Sequence, residues 1–201
     1  MTSRASSAIH ASTLVERMTS SSSSPAPGVR MLAVFFVTAL TAALSQVSFP
    51  LPFTPVPFTL QPVVVLLGGA ALGARLGATS QILYLMLGIA GLPVFAHAPE
   101  LPQGALRLVG PSGGYLMAYP LAALVTGWLA QRGMDRRILT ALLAMAAGLA
   151  TVYAGGVLWL AKDLGLAGAA AAGLYPFVLV DVIKMAAAAL VLPAAWRMLR
   201  A

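Results

Sequence analysis

The stretch MLAVFFVTALTAALSQVSFPLPFTPVPFTLQPVVVLLGGAALGA, residues 31–74, decides the fold because it contains no charged side chain. A transmembrane helix needs about 20 apolar residues, so this run is too long for a single span. Four prolines between residues 50 and 57 interrupt it, and proline breaks a helix because it lacks a backbone N–H. The run therefore predicts a span at about 30–48, an extended loop at 49–57 and a second span at about 58–74.

The composition of the whole chain also indicates an integral membrane protein. Of the 201 residues 60% are apolar and only 8% are charged, whereas a soluble domain carries roughly 25% charged residues. This excludes an ordinary soluble enzyme, and the length allows at most about six or seven spans, without room for a second, soluble catalytic domain. The absence of cysteine excludes disulfides, thiolate metal sites and a cysteine nucleophile.

Four further apolar segments follow the first two. They are predicted as spans at about 78–96, 112–131, 138–161 and 169–196. The sequence thus predicts an all-α integral membrane protein whose six transmembrane helices form one domain over residues 30–201. Residues 1–29 are serine-rich and are expected to be a disordered tail, because they bury too little apolar surface to offset the entropy of ordering.

The basic residues predict the orientation of these six spans, since cytoplasmic loops carry an excess of Lys and Arg. With the N-terminus inside, the outer side receives only Arg107 and Lys162. The cytoplasmic side receives nine arginines: Arg4, Arg17, Arg30, Arg75, Arg132, Arg136, Arg137, Arg197 and Arg200. Both termini are therefore expected in the cytoplasm. The basic residues are scattered singly, which does not fit a nucleic-acid-binding face.

Asp181 and Lys184 are the strongest functional signal, because they lie within an otherwise apolar segment. Their spacing of three puts both on one helix face. Two interpretations are open: a self-contained ion pair that fixes helix packing, or two residues that line a substrate cavity. The second is favoured because ionisable residues inside a membrane mark substrate pathways by default.

Gln61, Ser112 and Tyr115 are weaker candidates for contacts with a polar ligand on the same outer face. Gln61 is equally well explained as a satisfied amide at a helix end, and Ser112 as a helix N-cap. Arg107 could attract an anionic ligand, but a solvated loop charge is the simpler interpretation. Four other aromatic residues are expected to pack within the bundle or to lie at the membrane interface: Tyr84, Tyr153, Trp159 and Tyr175.

Small residues recur at four-residue spacing at Gly69, Gly73 and Gly77, and again at Ala39 and Ala43. Such spacing lets helix backbones approach closely, and packing within one chain explains it most simply. The chain has no phosphate-binding loop, no ligand-spaced histidines and no hydrolase motif. It is therefore predicted not to be an enzyme and to hold no metal or cofactor. Uphill transport would take its energy from a partner or an ion gradient.

Several motifs, in order along about 31–196, resemble the BioY family. They are PVPFTLQ at 55–61, GGAALG at 68–73, YLMLGIAGLPVF at 84–95, GPSGGY at 110–115, and Asp181-Val-Ile-Lys184. The resemblance implies the biotin-binding S-component of an energy-coupling-factor transporter, in the inner membrane of a bacterium. Its partners would be a transmembrane coupling protein and ABC-type ATPases. Toppling of the subunit would carry the pocket across the membrane.

Biotin presents a ureido group, an apolar thioether ring and a carboxylate, which suggests roles for the candidates. Asp181 is expected to accept ureido N–H bonds, and Lys184 to neutralise the carboxylate or bind the ureido oxygen. The second-rank candidates for contacts with biotin are Ser112, Tyr115 and Gln61. The resemblance also implies that Ala39 and Ala43 dock on the coupling protein and that the proline-rich loop closes the pocket. That loop has few conformations to lose on closing.

Three alternatives stay open at this point. The chain could transport biotin alone or as a homo-oligomer, or it could be an S-component for another vitamin. It could also be a membrane scaffold without a ligand, in which case Asp181 and Lys184 would pair only with each other.

Overall fold

The computed structural model describes residues 13–19, 26–97 and 101–198, and within these the chain is mostly helical. The helices and strands, numbered in chain order, are α1 (Leu14–Thr19), α2 (Pro27–Ser45), β1 (Ser48–Phe49), β2 (Phe58–Thr59), α3 (Gln61–Leu72), α4 (Ala74–Ile89), α5 (Leu106–Val109), α6 (Gly113–Ala130), α7 (Ile138–Gly173) and α8 (Tyr175–Met198). A short 3₁₀ turn at Met134–Arg136 joins α6 to α7.

Three helices in the described part of the chain, α2, α7 and α8, are long and apolar enough to cross a membrane. Helix α3 is apolar but has only 12 residues. The side chains on the outside of the bundle are largely apolar, as Leu139 and Leu179, each 70% exposed, illustrate. An apolar outer surface of this kind is what a lipid environment requires.

The proline-rich segment between α2 and α3 is held at its base by two short strands. Ser48 pairs with Thr59 and Phe49 with Phe58 in antiparallel register. The sequence predicted a helix from about residue 58, but Phe58 and Thr59 pair as β2 and α3 begins at Gln61. The hairpin fixes both ends of the loop just before the first turn of α3.

The helix is interrupted within the predicted connection between the fifth and sixth spans, but the last helix begins later than predicted. The sequence placed the end of the fifth span at about 161, next to Lys162 and Asp163, and the start of the sixth at about 169. The structure continues α7 past these exposed charges to Gly173, with a single interruption at Gly165. Gly165 has a φ of +67°, which favours glycine, and α8 begins only at Tyr175.

Part of the N-terminal region also differs from expectation. Leu14–Thr19, within the segment predicted to be disordered, form α1, and α2 already begins at Pro27. Leu14 is buried and joins the hydrophobic core, which gives this segment an apolar anchor that its serine-rich composition did not indicate. The remainder of the predicted tail, residues 1–12 and 20–25, lies outside the described residues.

Glycines bring α3, α4 and α6 into close contact, and α6 lies at the centre of the bundle. A Cβ atom built on Gly69 would lie 2.5 Å from the carbonyl oxygen of Ala123 on α6. A Cβ atom on Gly77 would lie 2.7 Å from the Cα atom of Gly69. The four-residue glycine spacing therefore serves packing within the chain, as the simpler interpretation of the sequence held.

Polar side chains connect α2 to α4 inside the bundle. The Thr38 hydroxyl donates a hydrogen bond of 2.9 Å to the carbonyl oxygen of Ser80, and the Gln81 amide donates to the Thr41 hydroxyl at 3.3 Å. Such bonds join helices that have no hydrophobic driving force between them in lipid. They fix the position of α2 against the rest of the bundle.

Candidate ligand pocket

A cavity lies at the end of the bundle where α6 and α8 begin. All five residues proposed from the sequence as ligand contacts line it: Gln61, Ser112, Tyr115, Asp181 and Lys184. Phe58, Leu116, Leu149 and Phe177 supply apolar wall. The cavity thus combines an apolar body with a few polar groups.

Asp181 and Lys184 form an ion pair at the cavity wall, with 2.9 Å between Asp181 Oδ1 and Lys184 Nζ. Lys184 Nζ also donates to the carbonyl oxygen of Thr59 at 2.9 Å and lies 3.6 Å from the centre of the Phe58 ring. The two interpretations offered by the sequence are therefore compatible, because the pair is formed and also faces a cavity. Through Thr59, the pair contacts the base of the proline-rich loop.

Tyr153 on α7 contacts the same carboxylate. Its hydroxyl donates a hydrogen bond of 2.6 Å to Asp181 Oδ2. The sequence predicted only packing or a place at the membrane interface for Tyr153, but the residue lines the cavity. No local pattern marks it, since the contact joins two residues that are 28 positions apart and depends on how α7 meets α8.

Arg107 on α5 also lines the cavity, so the interpretation that the sequence favoured, a solvated loop charge, is wrong. It is 1% exposed and lines the cavity, because the loop between α4 and α6 folds over the pocket end of the bundle. Nη2 donates to the carbonyl oxygen of Ala96 at 2.9 Å, while Nε and Nη1 have no hydrogen-bond partner within the described residues. Burial lowers the pKa of Arg107, since a charged guanidinium is costly to remove from water.

Gln61 is buried and held by a second tyrosine. Its side-chain amide donates to the Tyr84 hydroxyl, which in turn donates to the carbonyl oxygen of Val94 at 3.0 Å. Tyr84 is fully buried, so it does not belong to a membrane-interface belt. The chain of bonds orients the Gln61 amide at the cavity wall.

Ser112 and Tyr115 approach the cavity from the start of α6. Ser112 occupies the N-cap position but makes no side-chain capping bond, and its buried hydroxyl has no partner among the residues described. The Tyr115 hydroxyl donates to the carbonyl oxygen of Gly173 at 2.8 Å. Its ring fits a slot that side chains at Gly156 or Gly173 would fill. Ser112 is thus free to bond a ligand, whereas Tyr115 offers mainly its ring.

Trp159 on α7 supports the segment that leads into α6. Its indole N–H donates to the carbonyl oxygen of Gly110 at 3.0 Å, two residues before Ser112. The GPSGGY segment is consequently anchored to α7 by Trp159 and to the end of α7 by Tyr115. Tyr175, by contrast, is 69% exposed.

The charges at the cavity favour an anionic ligand. Arg107 and Lys184 are cationic, Asp181 is the one acidic residue among the lining residues, and it is already paired with Lys184. Among the residues that the structure describes, the positive charge of Arg107 is left without a counter-charge. Buried charges are costly unless paired, so the site is best satisfied by a ligand that carries a carboxylate or similar group.

Ala39 and Ala43 lie outside the cavity, on the surface of α2. Both are exposed on α2, next to Phe35 and Phe36, which are 53% and 65% exposed, and neither lines the cavity. They form a small-residue patch on an apolar outer surface.

An apolar helical bundle with a buried, charged pocket is the arrangement of a membrane protein that binds a small polar solute. The sequence model of the BioY family matches residues 17–201. The chain belongs to this family, and it is a multi-pass membrane protein.

Individual relatives also support membership of this family. The chain is 38% identical over 163 residues to the "Probable biotin transporter BioY" of Pyrococcus horikoshii, which covers 81% of this chain and 92% of the relative. It is 41% identical over 155 residues to the "Biotin transporter BioY" of Thermotoga maritima, covering 77% and 88%. A solved crystal structure, of the S-component for biotin from an ECF-type ABC transporter, superimposes with a TM-score of 0.75 at 25% identity and covers 84% of this chain and 90% of that one.

Proposed function

We propose that this chain is the substrate-binding membrane subunit of a biotin uptake system. It captures biotin and delivers it inward together with a coupling protein and ATPases. The observation that carries the proposal is the cavity that combines the Asp181–Lys184 pair with the buried guanidinium of Arg107, which has no acidic partner within residues 13–19, 26–97 and 101–198. The family consists of transporters, and the chain is not an enzyme.

The chemistry of biotin assigns a role to each charged group. In the ureido ring an N–H donor and the carbonyl oxygen lie side by side, and Asp181 and Lys184 present an acceptor and a donor side by side. The pair therefore binds the ureido edge. Arg107 then binds the carboxylate, because its free N–H groups need an anionic acceptor and charge-assisted bonds are the strong kind. Ser112 and Gln61 supply further polar contacts, and Tyr115 packs against the ligand.

Calorimetric titration of the purified chain with biotin tests this proposal. Asp181→Asn should weaken binding by at least about 1.5–3 kcal/mol, the usual contribution of a hydrogen bond to a charged group. Asp163→Asn is the matched control, since Asp163 is exposed and does not line the cavity. Unchanged affinity in Asp181→Asn would remove Asp181 from the site, and absence of biotin binding by folded wild-type protein would refute the proposed ligand.

We further propose that α2, α3, α4, α6, α7 and α8 are six transmembrane spans, that residues 30–201 form the membrane domain, and that both termini are cytoplasmic. The excess of arginine on one side supports this topology in a bacterial inner membrane. The pocket then opens outward. The apolar surface of α2 around Ala39 and Ala43 is proposed to dock on the coupling protein.

The absence of cysteine makes this topology simple to test with single introduced thiols. Arg75 and Ala105 are both exposed, and lie respectively at the α3–α4 turn and beside α5. In intact cells, Ala105→Cys should react with a membrane-impermeant thiol reagent and Arg75→Cys should not. The cysteine-free parent is the control, and the reverse pattern would overturn the proposed orientation.

A further inference from the structure

The carboxylate of Asp181 is held from two directions. Lys184, one turn further along α8, donates to Oδ1 at 2.9 Å, and Tyr153 on α7 donates to Oδ2 at 2.6 Å. The side chain of Asp181 is only 8% exposed. Each carboxylate oxygen can accept two hydrogen bonds, so each keeps an acceptor site after these two contacts.

The two donors hold the Asp181 carboxylate in different ways. Lys184 belongs to the same helix as Asp181 and is also bonded to the carbonyl oxygen of Thr59, so it holds Oδ1 but leaves Oδ2 without support. Tyr153 belongs to a different helix, and its short, charge-assisted bond fixes the carboxylate relative to the opposite wall of the cavity. A ligand group is bound well only when its partners are held in place before it arrives.

We propose that Tyr153 is a positioning residue that acts through Asp181 and determines the selectivity for a cyclic urea with free N–H groups. The inference rests on the proposed function, because it assumes that biotin occupies this cavity. The Tyr153 hydroxyl turns Asp181 so that its remaining acceptor site faces a ureido N–H. Without this hydroxyl, Oδ2 loses its anchor on α7, and its remaining acceptor site no longer stays aimed at the ureido N–H.

Binding measurements on Tyr153→Phe test the proposal, because this variant keeps the ring and removes only the hydroxyl. Dissociation constants for biotin are compared among wild type, Tyr153→Phe, Asp181→Asn and the double variant. Tyr153→Phe should weaken biotin binding by at least about tenfold, the lower bound expected for a hydrogen bond to a charged group. The double variant should bind no more weakly than Asp181→Asn alone, since the hydroxyl acts only through the carboxylate.

A second ligand distinguishes positioning from simple packing. A biotin analogue methylated on both ureido nitrogens has no N–H to offer Asp181. Tyr153→Phe should change its binding less than twofold, so the preference for biotin over this analogue should fall by about tenfold, matching the loss in biotin binding. Tyr175→Phe is the matched control, because Tyr175 is 69% exposed and does not line the cavity.

The outcomes separate the two proposals. Equal biotin affinity in wild type and Tyr153→Phe overturns the positioning role. So does a loss of biotin affinity in the double variant that is larger than in Asp181→Asn alone. An equal loss of affinity for biotin and for the methylated analogue overturns it as well. In each of these cases wild-type binding of biotin still stands. Failure of folded wild type to bind biotin overturns the proposed function instead. Circular dichroism and gel filtration of each variant verify that it is folded.

Discussion

Two buried charges, Arg107 and Asp181, and the partly buried charge of Lys184 give the cavity its chemical character. Removing a charge from water costs several kcal/mol unless a partner compensates for it, and a cavity in a membrane protein offers few such partners. Asp181 and Lys184 compensate each other, and Tyr153 adds a third bond. Arg107 has only the carbonyl oxygen of Ala96 among its described neighbours. A bound anion is therefore expected to stabilise the charge of Arg107 more than the charge of Asp181 or Lys184.

Arg107→Gln should abolish the preference for the free acid of biotin over its neutral amide. Wild type should favour the acid by at least about tenfold, because an amide leaves the buried guanidinium without a counter-charge. The two dissociation constants, measured by competition, give this ratio. Arg137→Gln is the control, since Arg137 is exposed and far from the cavity lining. An equal loss for acid and amide would show that Arg107 does not bind the carboxylate.

Individual site residues differ in how far a sequence can reveal them. Asp181 and Lys184 stand out because a charge within an apolar segment is rare and needs a reason. Arg107 does not, because a loop is the usual place for arginine and only folding buries this one. The hydroxyl of Tyr153 is equally inconspicuous, since its importance depends on a partner on another helix.

At the scale of helices, close approach depends on the absence of side chains. Gly69 lies against the backbone of Ala123, and Gly127 against the backbone at Ala74, so α3, α4 and α6 touch almost directly. Backbone atoms cannot move aside as the end of a flexible side chain can. These contacts hold the second half of α6 against α3 and α4.

Gly69→Ala should therefore destabilise the protein by about 1–3 kcal/mol, the usual cost of overpacking. Its new Cβ atom would meet the Ala123 carbonyl oxygen at 2.5 Å. Thermal unfolding in detergent measures the effect as a lower midpoint. Gly28→Ala is the control, because nothing lies within 4 Å of a Cβ atom there. Equal midpoints for Gly69→Ala and wild type would contradict tight packing at this crossing.

The apolar segments were predictable from sequence, but several of their ends were not. Lys162 and Asp163 looked like a helix end because charges avoid lipid, yet exposed charges can continue a helix beyond the membrane. The interruption at Gly165 lies within the predicted connection between about 161 and 169, but the helical turns that continue from there to Gly173 were not predicted. The pairing of β1 with β2 involves two residues on each side, too few to leave an alternating pattern.

At the scale of the whole molecule, the two proposed functions occupy separate surfaces. The cavity lies among α3, α5, α6, α7 and α8, whereas Ala39 and Ala43 lie exposed on α2. The bonds from Thr38 and Thr41 to α4 hold α2 against the bundle. Ligand binding and assembly should consequently respond to different substitutions.

Ala39→Leu should leave biotin affinity unchanged while reducing the coupling protein that co-purifies with the chain by about tenfold, a change of about 1.4 kcal/mol. A larger side chain keeps the helix backbones apart where small residues let them approach. Ala186→Leu, the same change at an exposed position on α8, should assemble normally. A normal complex with Ala39→Leu would exclude this patch as the docking surface.

The bond from Trp159 to the carbonyl oxygen of Gly110 has an optical consequence. Indole fluorescence depends on what its N–H contacts and on access to water, and Trp159 is tied to the segment that carries Ser112. Of the chain's three tryptophans, Trp128 and Trp196 lie towards the opposite end of the bundle, where Arg132 and Asp135 contact them. Occupation of the cavity should therefore shift the emission of one tryptophan against a constant background from two. The chain thus carries its own fluorescent reporter of ligand binding and needs no added dye.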